Sequence, residues 1–252
     1  MSTFVQTKNY GMNIALIGYG KMGKAIEQIA LKKGHKIPVK ISSENVDSFS
    51  SKLLKDNNID VAIEFSTPST VVKNIHTCFN AHIPVVVGTT AWQAEESIIK
   101  KRAMEERQSI FSASNFSVGM NITFRLNKLL SRMMNNISDY SVSIEEVHHT
   151  QKLDKPSGTA ITLAEGNIQE LENIEEWKLE ETGEGILPIT AIREEGVPGT
   201  HTVKFECDID KIEITHTAHN REGFALGAIH AAEWIVGKTG YFGMNDLLNL
   251  ND

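Results

Sequence analysis

The sequence has two cysteines in 252 residues, six prolines, three tryptophans and no apolar run as long as a membrane span. Each shortage excludes something. Cys78 and Cys207 lie far apart and form no Cys-x-x-Cys pair, which argues against a disulfide framework or a zinc site and suits a reducing cytoplasm. A spanning helix needs ~20 consecutive apolar residues, so no membrane partner is expected. Basic residues are fewer than acidic ones, 25 against 32, and the net charge of −7 gives no general nucleic-acid-binding surface. An anionic small substrate must therefore meet a locally basic site that the average conceals. The segment from Met1 to Gly11 is polar and lacks the apolar middle of a signal peptide. The first strand opens at Met12, so that segment reads either as an extension of the domain or as an addition to it. There is no internal repeat and no low-complexity tract.

What is present is an ordinary globular composition, 40% hydrophobic and 23% charged, in a chain long enough for one large domain or two modest ones. The first half alternates short β-rich runs with helical patterns. Asn13 to Ile17 reads as a strand, followed by a helix with Ala25, Ile26, Ile29 and Ala30 on one face. Lys36 to Ile41 reads as a second strand and Val61 to Phe65 as a third. A helix carrying Val71, Val72, Ile75, Cys78 and Phe79 comes next, then a strand over Ile83 to Val87, a charged helix over Trp92 to Glu106 and a short strand at Ile110 and Phe111. This alternation is the pattern of a parallel sheet with crossover helices.

The rhythm then changes. Ile122, Leu126, Leu129, Leu130 and Met133 mark a helix, and Tyr140, Val142 and Ile144 alternate with polar residues as a half-buried strand does. Ala160, Ile161, Ala164, Ile168 and Leu171 form another helix. Val203, Phe205, Cys207 and Ile209 alternate again and can pair with Ile212 and Ile214 across a turn near Asp210. Phe224 to Val236 is an Ala-rich helix able to pack back on the first domain. The expected fold is α/β: a Rossmann-type parallel sheet with an inserted α+β domain of mainly antiparallel sheet. Residues 1–118 and 221–252 form the parallel-sheet domain in this reading, and residues 119–220 the inserted one.

Gly18, Gly20 and Gly23 give G-x-G-x-x-G between the first strand and its helix. The three glycines serve a tight turn, close approach of backbone to a diphosphate, and close helix–strand packing. The helix start offers unpaired N–H groups to phosphates. A plain tight turn is the bland alternative. The choice between NADH and NADPH stays open. The strand-end region Lys40-Ile41-Ser42-Ser43-Glu44 has no acid at the strand end proper, while Lys40 and the serines suit a 2′-phosphate and Glu44 a ribose. Beyond the later strands stand Ser66-Thr67-Pro68, Gly88-Thr89-Thr90 and Ser114-Asn115-Phe116-Ser117, small polar loops at the edge where parallel sheets bind ligands. Turn chemistry uses the same residues.

The densest polar cluster runs from Glu146 to Ala160 and holds His148, His149, Lys152, Asp154 and Lys155. Adjacent strand residues point to opposite faces, so His148 and His149 make a poor chelating pair, and with no further ligand nearby no metal is expected. An imidazole beside a lysine suits proton donation to a dianionic substrate. Pro156-Ser157-Gly158-Thr159 opens a helix whose free N–H groups can hold a carboxylate. A charged loop with an N-cap is the bland alternative.

The run His148-His149, Lys152, Asp154 and Pro156-Ser157-Gly158-Thr159-Ala160 closely resembles the signature of the dihydrodipicolinate reductase family. The glycine loop, Gly88-Thr89-Thr90, Asn115 to Gly119 and Arg221 to Ala228 fall in that family's order and spacing, so the resemblance covers the chain from Met12 onward. It implies reduction of a cyclic unsaturated dicarboxylate, 4-hydroxy-tetrahydrodipicolinate, by NADPH or NADH in lysine and diaminopimelate biosynthesis. It implies His148 as proton donor or acceptor, Lys152 as proton donor, and His149, Gly158 and Thr159 on the substrate carboxylates. It also implies that Gly18, Tyr19, Gly20, Lys21, Met22, Gly88, Thr89, Thr90, Ala113, Ser114, Asn115 and Phe116 line the cofactor. A homotetramer formed through the sheet of the middle domain, and hinge closure between domains, belong to the same implication. Four departures stand out: a shorter glycine loop with Lys21 where an extra residue and an arginine are frequent, Ala91 in place of a frequent glycine, Thr200 in place of the glutamate of a Gly-Glu-His, and no acid ending the second strand.

Two other classes compete. A semialdehyde dehydrogenase needs a nucleophilic cysteine at a loop or helix start, whereas Cys78 falls on a buried helix face and Cys207 within a strand. A dinucleotide-sensing regulator keeps the glycine loop but has no use for the His/Lys cluster.

Overall fold

A computed structural model describes residues 11–220 and 222–250. Arg221 of the Arg221 to Ala228 motif, and residues 1–10 of the segment before Met12, lie outside the described residues. The described residues form two compact units, 11–117 with 222–250, and 118–220.

The first unit alternates strands and helices: β1 (Asn13–Ile17), α1 (Lys21–Lys32), β2 (Lys36–Ile41), α2 (Ser51–Asp56), β3 (Val61–Glu64), α3 (Val71–Ala81), β4 (Val85–Val87), α4 (Gln93–Glu105) and β5 (Ser109–Ser112). The chain returns to this unit through α7 (Glu222–Ile235), β11 (Gly240–Phe242) and α8 (Met244–Leu248). The six strands pair in the order β11-β5-β4-β3-β1-β2, all parallel. β3 and β4 are buried along their whole length and β1 for all but its first residue. Parallel strands covered on both faces read as continuous apolar runs for this reason. The order reverses at β1, whose neighbours are β2 on one side and β3 on the other. Ligands of open α/β sheets bind beyond the strand ends at such a reversal. The returning segment is tied in by Glu233, which pairs with Lys33 at 3.1 Å and His35 at 3.0 Å, and by Trp234, edge-on to Phe111.

The second unit contains α5 (Val118–Met134), β6 (Ser141–His148), α6 (Gly158–Ile168), β7 (Glu176–Leu179), β8 (Ile186–Arg193), β9 (Gly199–Glu206) and β10 (Lys211–Ala218). Its sheet runs β10-β9-β6-β8-β7. The β9–β10 and β6–β9 pairings are antiparallel, with Phe205 opposite Ile212 and Val203 opposite Ile214. β8 and β7 add parallel pairings, which makes the sheet mixed. Val142 and Ile144 of β6, Leu187 and Ile189 of β8, and Val203 and Phe205 of β9 pack against Ala160, Leu163 and Ala164 of α6 and Met120 of α5.

α5 forms where its apolar stripe predicts a helix, but the stripe is not its inner face. Ile122, Leu126 and Met133 are exposed, whereas Thr123, Asn127 and Ser131 are buried. Asn127 and Ser131 face α6 through hydrogen bonds, while Thr123 donates to the Gly119 carbonyl of its own helix and Asn127 Oδ1 has no partner among the described residues. Asn127 donates to the Leu163 carbonyl at 2.9 Å and to Asn167 at 3.1 Å, and Asn167 donates to Ser131 at 2.9 Å. Buried polar groups are tolerated when bonded to one another in this way. No helix among the described residues is long and apolar enough to cross a membrane.

Candidate active site

In the first unit the glycine loop closes directly on the strand ends. The N–H groups of Gly18 and Tyr19 both donate to the carbonyl of Ile41, at 2.9 and 3.0 Å, which pins the loop to the end of β2. Gly18 stands at φ +92°, and a Cβ there would lie 2.0 Å from the Phe65 carbonyl oxygen. A Cβ at Gly23 would lie 2.4 Å from the Gly18 carbonyl oxygen, so this glycine lets α1 pack onto the turn. Gly20 is different. It caps α1, yet a Cβ there would meet no heavy atom within 4 Å. Its small size has no explanation in the packing and fits the close approach of a diphosphate. The helix start behind it has no side-chain cap and no acid in its first turn, leaving positive dipole charge for phosphate.

The loops after β3, β4 and β5 meet beside it. Phe65 packs against Phe116, with ring centroids 5.6 Å apart, and a Cβ at Gly88 would run into the Phe65 ring. Thr89 accepts a hydrogen bond from the Ser66 N–H at 2.8 Å and donates to Glu64 at 2.6 Å. Glu64 is fully buried and also accepts from Ser66 and from Asn74. Burial raises its pKa, while bonds from Ser66, Thr89 and Asn74 hold it down in part. The structure therefore brings together Gly18 to Met22, Gly88 to Thr90 and Ala113 to Phe116 through Phe65, Glu64 and Ser66. Residues of this kind, with backbone N–H groups and small hydroxyls at a sheet edge, fit a nicotinamide dinucleotide. At the end of β2, the Lys40 ammonium donates to Glu27 at 2.8 Å and lies 5.2 Å from the centroid of the Tyr19 ring; Tyr19 also donates to Glu27. A 2′-phosphate must compete with Glu27 for Lys40.

In the second unit the polar cluster is built on the buried face of β6. Val142, Ile144, Glu146 and His148 share that face. The sheet register sets His201 of β9 opposite Glu146 and Arg193 of β8 opposite His148. The Glu146 carboxylate, wholly buried, accepts from the Arg193 guanidinium at 3.2 Å and from the Ser157 N–H at 3.0 Å. Ser157 in turn caps α6, accepting from the Ala160 N–H. Removing one partner of a buried charged pair typically costs about 3–5 kcal/mol. Glu146 thus fixes where α6 begins.

His148 ends β6 and is 8% exposed. Its Nδ1 lies 3.3 Å from the Pro198 carbonyl oxygen and its Nε2 lies 3.2 Å from Nε2 of His201. Gly199 is tight against the ring: a Cβ there would lie 2.7 Å from it. Burial lowers the pKa of His148, and it pushes that of His201 down to about 3, so both rings are neutral at pH 7. His149 follows the strand end, with Nδ1 buried and unpartnered. Lys152 is better exposed, its ammonium donating to both oxygens of Asp154 at 2.8 Å. Gly158 opens α6, and like Gly20 it has no heavy atom within 4 Å of where a Cβ would stand.

Two sequence expectations are corrected here. No further ligand was expected near His148, yet β9 brings His201 and β6 itself brings Glu146, and their ligating atoms lie within 4.8 Å of one another. These partners are separated in sequence and meet through sheet register. Cys207 is not within a strand but in the turn after β9, where its N–H donates to the Asp210 carbonyl. A separate cleft of about 1050 Å³ lies at the other end of β6, around Tyr140, Ser141 and Ile186. It is roughly 20 Å away at strand rise and holds none of these groups.

The comparisons with known proteins agree with this geometry. The profile described as dihydrodipicolinate reductase, N-terminus, matches residues 12–116, and that described as dihydrodipicolinate reductase, C-terminus, matches residues 119–248. The chain belongs to the dihydrodipicolinate reductase family. A 4-hydroxy-tetrahydrodipicolinate reductase of Christiangramia forsetii is 52% identical over 94% of this chain and 98% of its own length. One from Neisseria gonorrhoeae is 34% identical over 90% of this chain and 85% of its own. Among solved structures, a dipicolinate-bound dihydrodipicolinate reductase from Paenisporosarcina sp. TG-14 superposes with a TM-score of 0.74, covering 93% of this chain and 98% of that one at 20% identity. That likeness is one of fold. The same holds for aspartate semialdehyde dehydrogenase II of Vibrio cholerae, at a TM-score of 0.51 and 11% identity. The cysteines separate the two chemistries. Cys78 is fully buried in α3 with its thiol pushed far up by burial, and Cys207 sits in a hairpin turn, so neither is placed as an acylating nucleophile in this reductase-family chain.

Glu146, His201 and Arg193 join the cluster at His148 without having been singled out as candidates in the sequence. The signal for the first two was present: Glu146 falls on the same alternating face as Val142 and Ile144, and His201 on that of Val203 and Phe205.

Proposed function

We propose that this chain reduces 4-hydroxy-tetrahydrodipicolinate (dihydrodipicolinate) to tetrahydrodipicolinate with NADPH or NADH, a step of lysine and diaminopimelate biosynthesis. The observation that carries the site assignment is the start of α6, where an open glycine and a helix N-terminus stand beside Lys152 and His148. A helix start and lysine form the local cationic site that a dicarboxylate needs in a chain of net charge −7. Gly158 and Thr159 receive one substrate carboxylate on backbone N–H and hydroxyl, and His149 contacts the substrate with the imidazole whose Nδ1 is unpartnered. When bound, the dihydronicotinamide supplies a hydride. Gly18 to Met22, Gly88 to Thr90 and Ala113 to Phe116 hold it by its phosphates, ribose and carboxamide.

The proton that completes the reduction comes from Lys152, the more exposed of the two catalytic candidates and a group with three N–H donors. Asp154 orients that ammonium. His148 is the second proton-transfer group. Its Pro198 contact favours the proton on Nδ1, which leaves Nε2 toward His201 as the acceptor. The cytoplasm is the expected location and a homotetramer the expected assembly. The open polar face of the second sheet, with Ser143, Thr190, Thr202 and Thr215, supports sheet-to-sheet assembly.

The test is an assay in which a dihydrodipicolinate synthase supplies fresh substrate and NADPH or NADH absorbance is followed. Purified protein is expected to oxidise the cofactor, and a His148→Ala, Lys152→Ala double variant to lose at least a hundredfold in kcat. Full activity in that variant sinks the mechanism. Consumption of neither cofactor sinks the function.

A further inference from the structure

Glu146, His148 and His201 form a donor set that no step of the reduction requires as a set. Glu146 Oε2 lies 3.6 Å from His148 Nε2 and 3.7 Å from His201 Nε2, and the two Nε2 atoms are 3.2 Å apart. A tetrahedral zinc ion with bonds of about 2.0–2.2 Å separates its ligand atoms by roughly 3.3–3.6 Å. The triangle thus has the edges of one face of a zinc tetrahedron before any side chain moves. We propose that this triad is a zinc-type metal site, with two imidazoles and one carboxylate as ligands, and that its occupation inhibits the enzyme.

The surroundings suit three-ligand binding. The Pro198 carbonyl beside His148 Nδ1 is the kind of outer partner that places the proton there and leaves Nε2 to the metal. Arg193 sits on Oε1 of Glu146, while Oε2 faces the two rings and also accepts the Ser157 N–H at 3.0 Å. Ser157 Oγ, 3.2 Å from His201 Nε2, stands beside the fourth position, which it or a water fills. On binding, the proton between the two rings moves to Nδ1 of His201, an atom with no partner in the fold. That unpaired N–H and the nearby Arg193 and Lys152 charges weaken the site relative to a structural zinc centre. The ion is accordingly a reversible inhibitor and not a resident cofactor. Inhibition rests on the role given to His148 above, because the ion takes the lone pair of its Nε2; binding does not.

The experiment titrates the purified chain with Co2+ and follows the visible ligand-field bands of a four-coordinate ion, then displaces it with Zn2+. One equivalent is expected to develop the bands. His201→Asn should weaken binding at least tenfold, while His216→Asn, which alters a neighbouring histidine outside the triad, should leave the bands intact. Circular dichroism of each variant reports folding, and Glu146→Gln is the second ligand variant should His201→Asn not fold. Absence of bands in the parent chain, or bands indifferent to His201→Asn and Glu146→Gln alike, overturns the site. In the coupled assay Zn2+ should suppress the rate and a chelator restore it. Binding by the spectroscopic readout without inhibition overturns the inhibitory half and the role of His148 together, and leaves the metal site standing.

Discussion

Ala91 is held at φ +61°, directly after the Gly88-Thr89-Thr90 loop. An L residue pays roughly 1–2 kcal/mol in the left-handed region, while the extra freedom of an unfolded glycine is worth about 0.5–1 kcal/mol against it. The difference predicts that Ala91→Gly stabilises the first unit by about 0.5–1 kcal/mol. Thermal unfolding should show a rise of roughly 1–4 °C, and an unchanged or lowered Tm would refute the strain. The departure from the family's glycine was visible in the sequence, but its cost was not, since φ belongs to the folded loop. The same division holds at the second site. His148, Lys152 and Gly158 were legible because motif residues lie close in sequence. Arg193, and the meeting of His201 with Glu146, were not, because each reaches Glu146 across some fifty residues through β8 and β9.

At the scale of elements, alternation and periodicity located the strands and helices but not always their inner faces. Ile122, Leu126 and Met133 of the apolar stripe of α5 face out while Asn127 and Ser131 face in, bonded to Leu163 and Asn167 of α6. The start of α6 carries a sharper prediction. An alanine at Gly158 meets no protein atom within 4 Å, so Gly158→Ala should leave Tm within about a degree while crowding the substrate carboxylate proposed to bind there. KM for substrate is expected to rise several-fold with little change in KM for NADPH. Equal change in both, or in neither, would place the carboxylate elsewhere. At the end of β3, Glu64 has its pKa raised chiefly by burial. A raised folded-state pKa gives stability that is present at low pH and is lost as pH climbs from the unfolded value through the folded one. Glu64→Gln removes that loss. Its Tm relative to the parent should therefore improve as pH rises above the ordinary carboxylate range, and a pH-independent difference would show that Glu64 does not titrate in this way.

For the whole molecule, one face of the second unit's sheet packs against α5 and α6. The other face presents Ser143, Glu145, Thr190, Thr202, Lys204, Glu213 and Thr215, with Thr202 and Thr215 bonded to each other across β9 and β10 at 3.0 Å. Such a row of short hydroxyl side chains is flat enough for two copies to stack sheet on sheet, and a two-fold axis sets each patch against itself. Nothing in the alternation of a single chain distinguishes this face from one that meets only water, because both are polar; assembly entered the sequence reading through resemblance alone. Four copies of the 27.9 kDa chain should elute with a light-scattering mass of roughly 110 kDa. A Thr202→Arg, Thr215→Arg variant places like charges face to face across the axis, at a cost that the Coulomb interaction at close range makes prohibitive for stacking. It should run at a smaller mass with its circular dichroism unchanged. A parent chain that elutes as a monomer, or a double variant that keeps the larger mass, would remove this sheet face as the assembly surface.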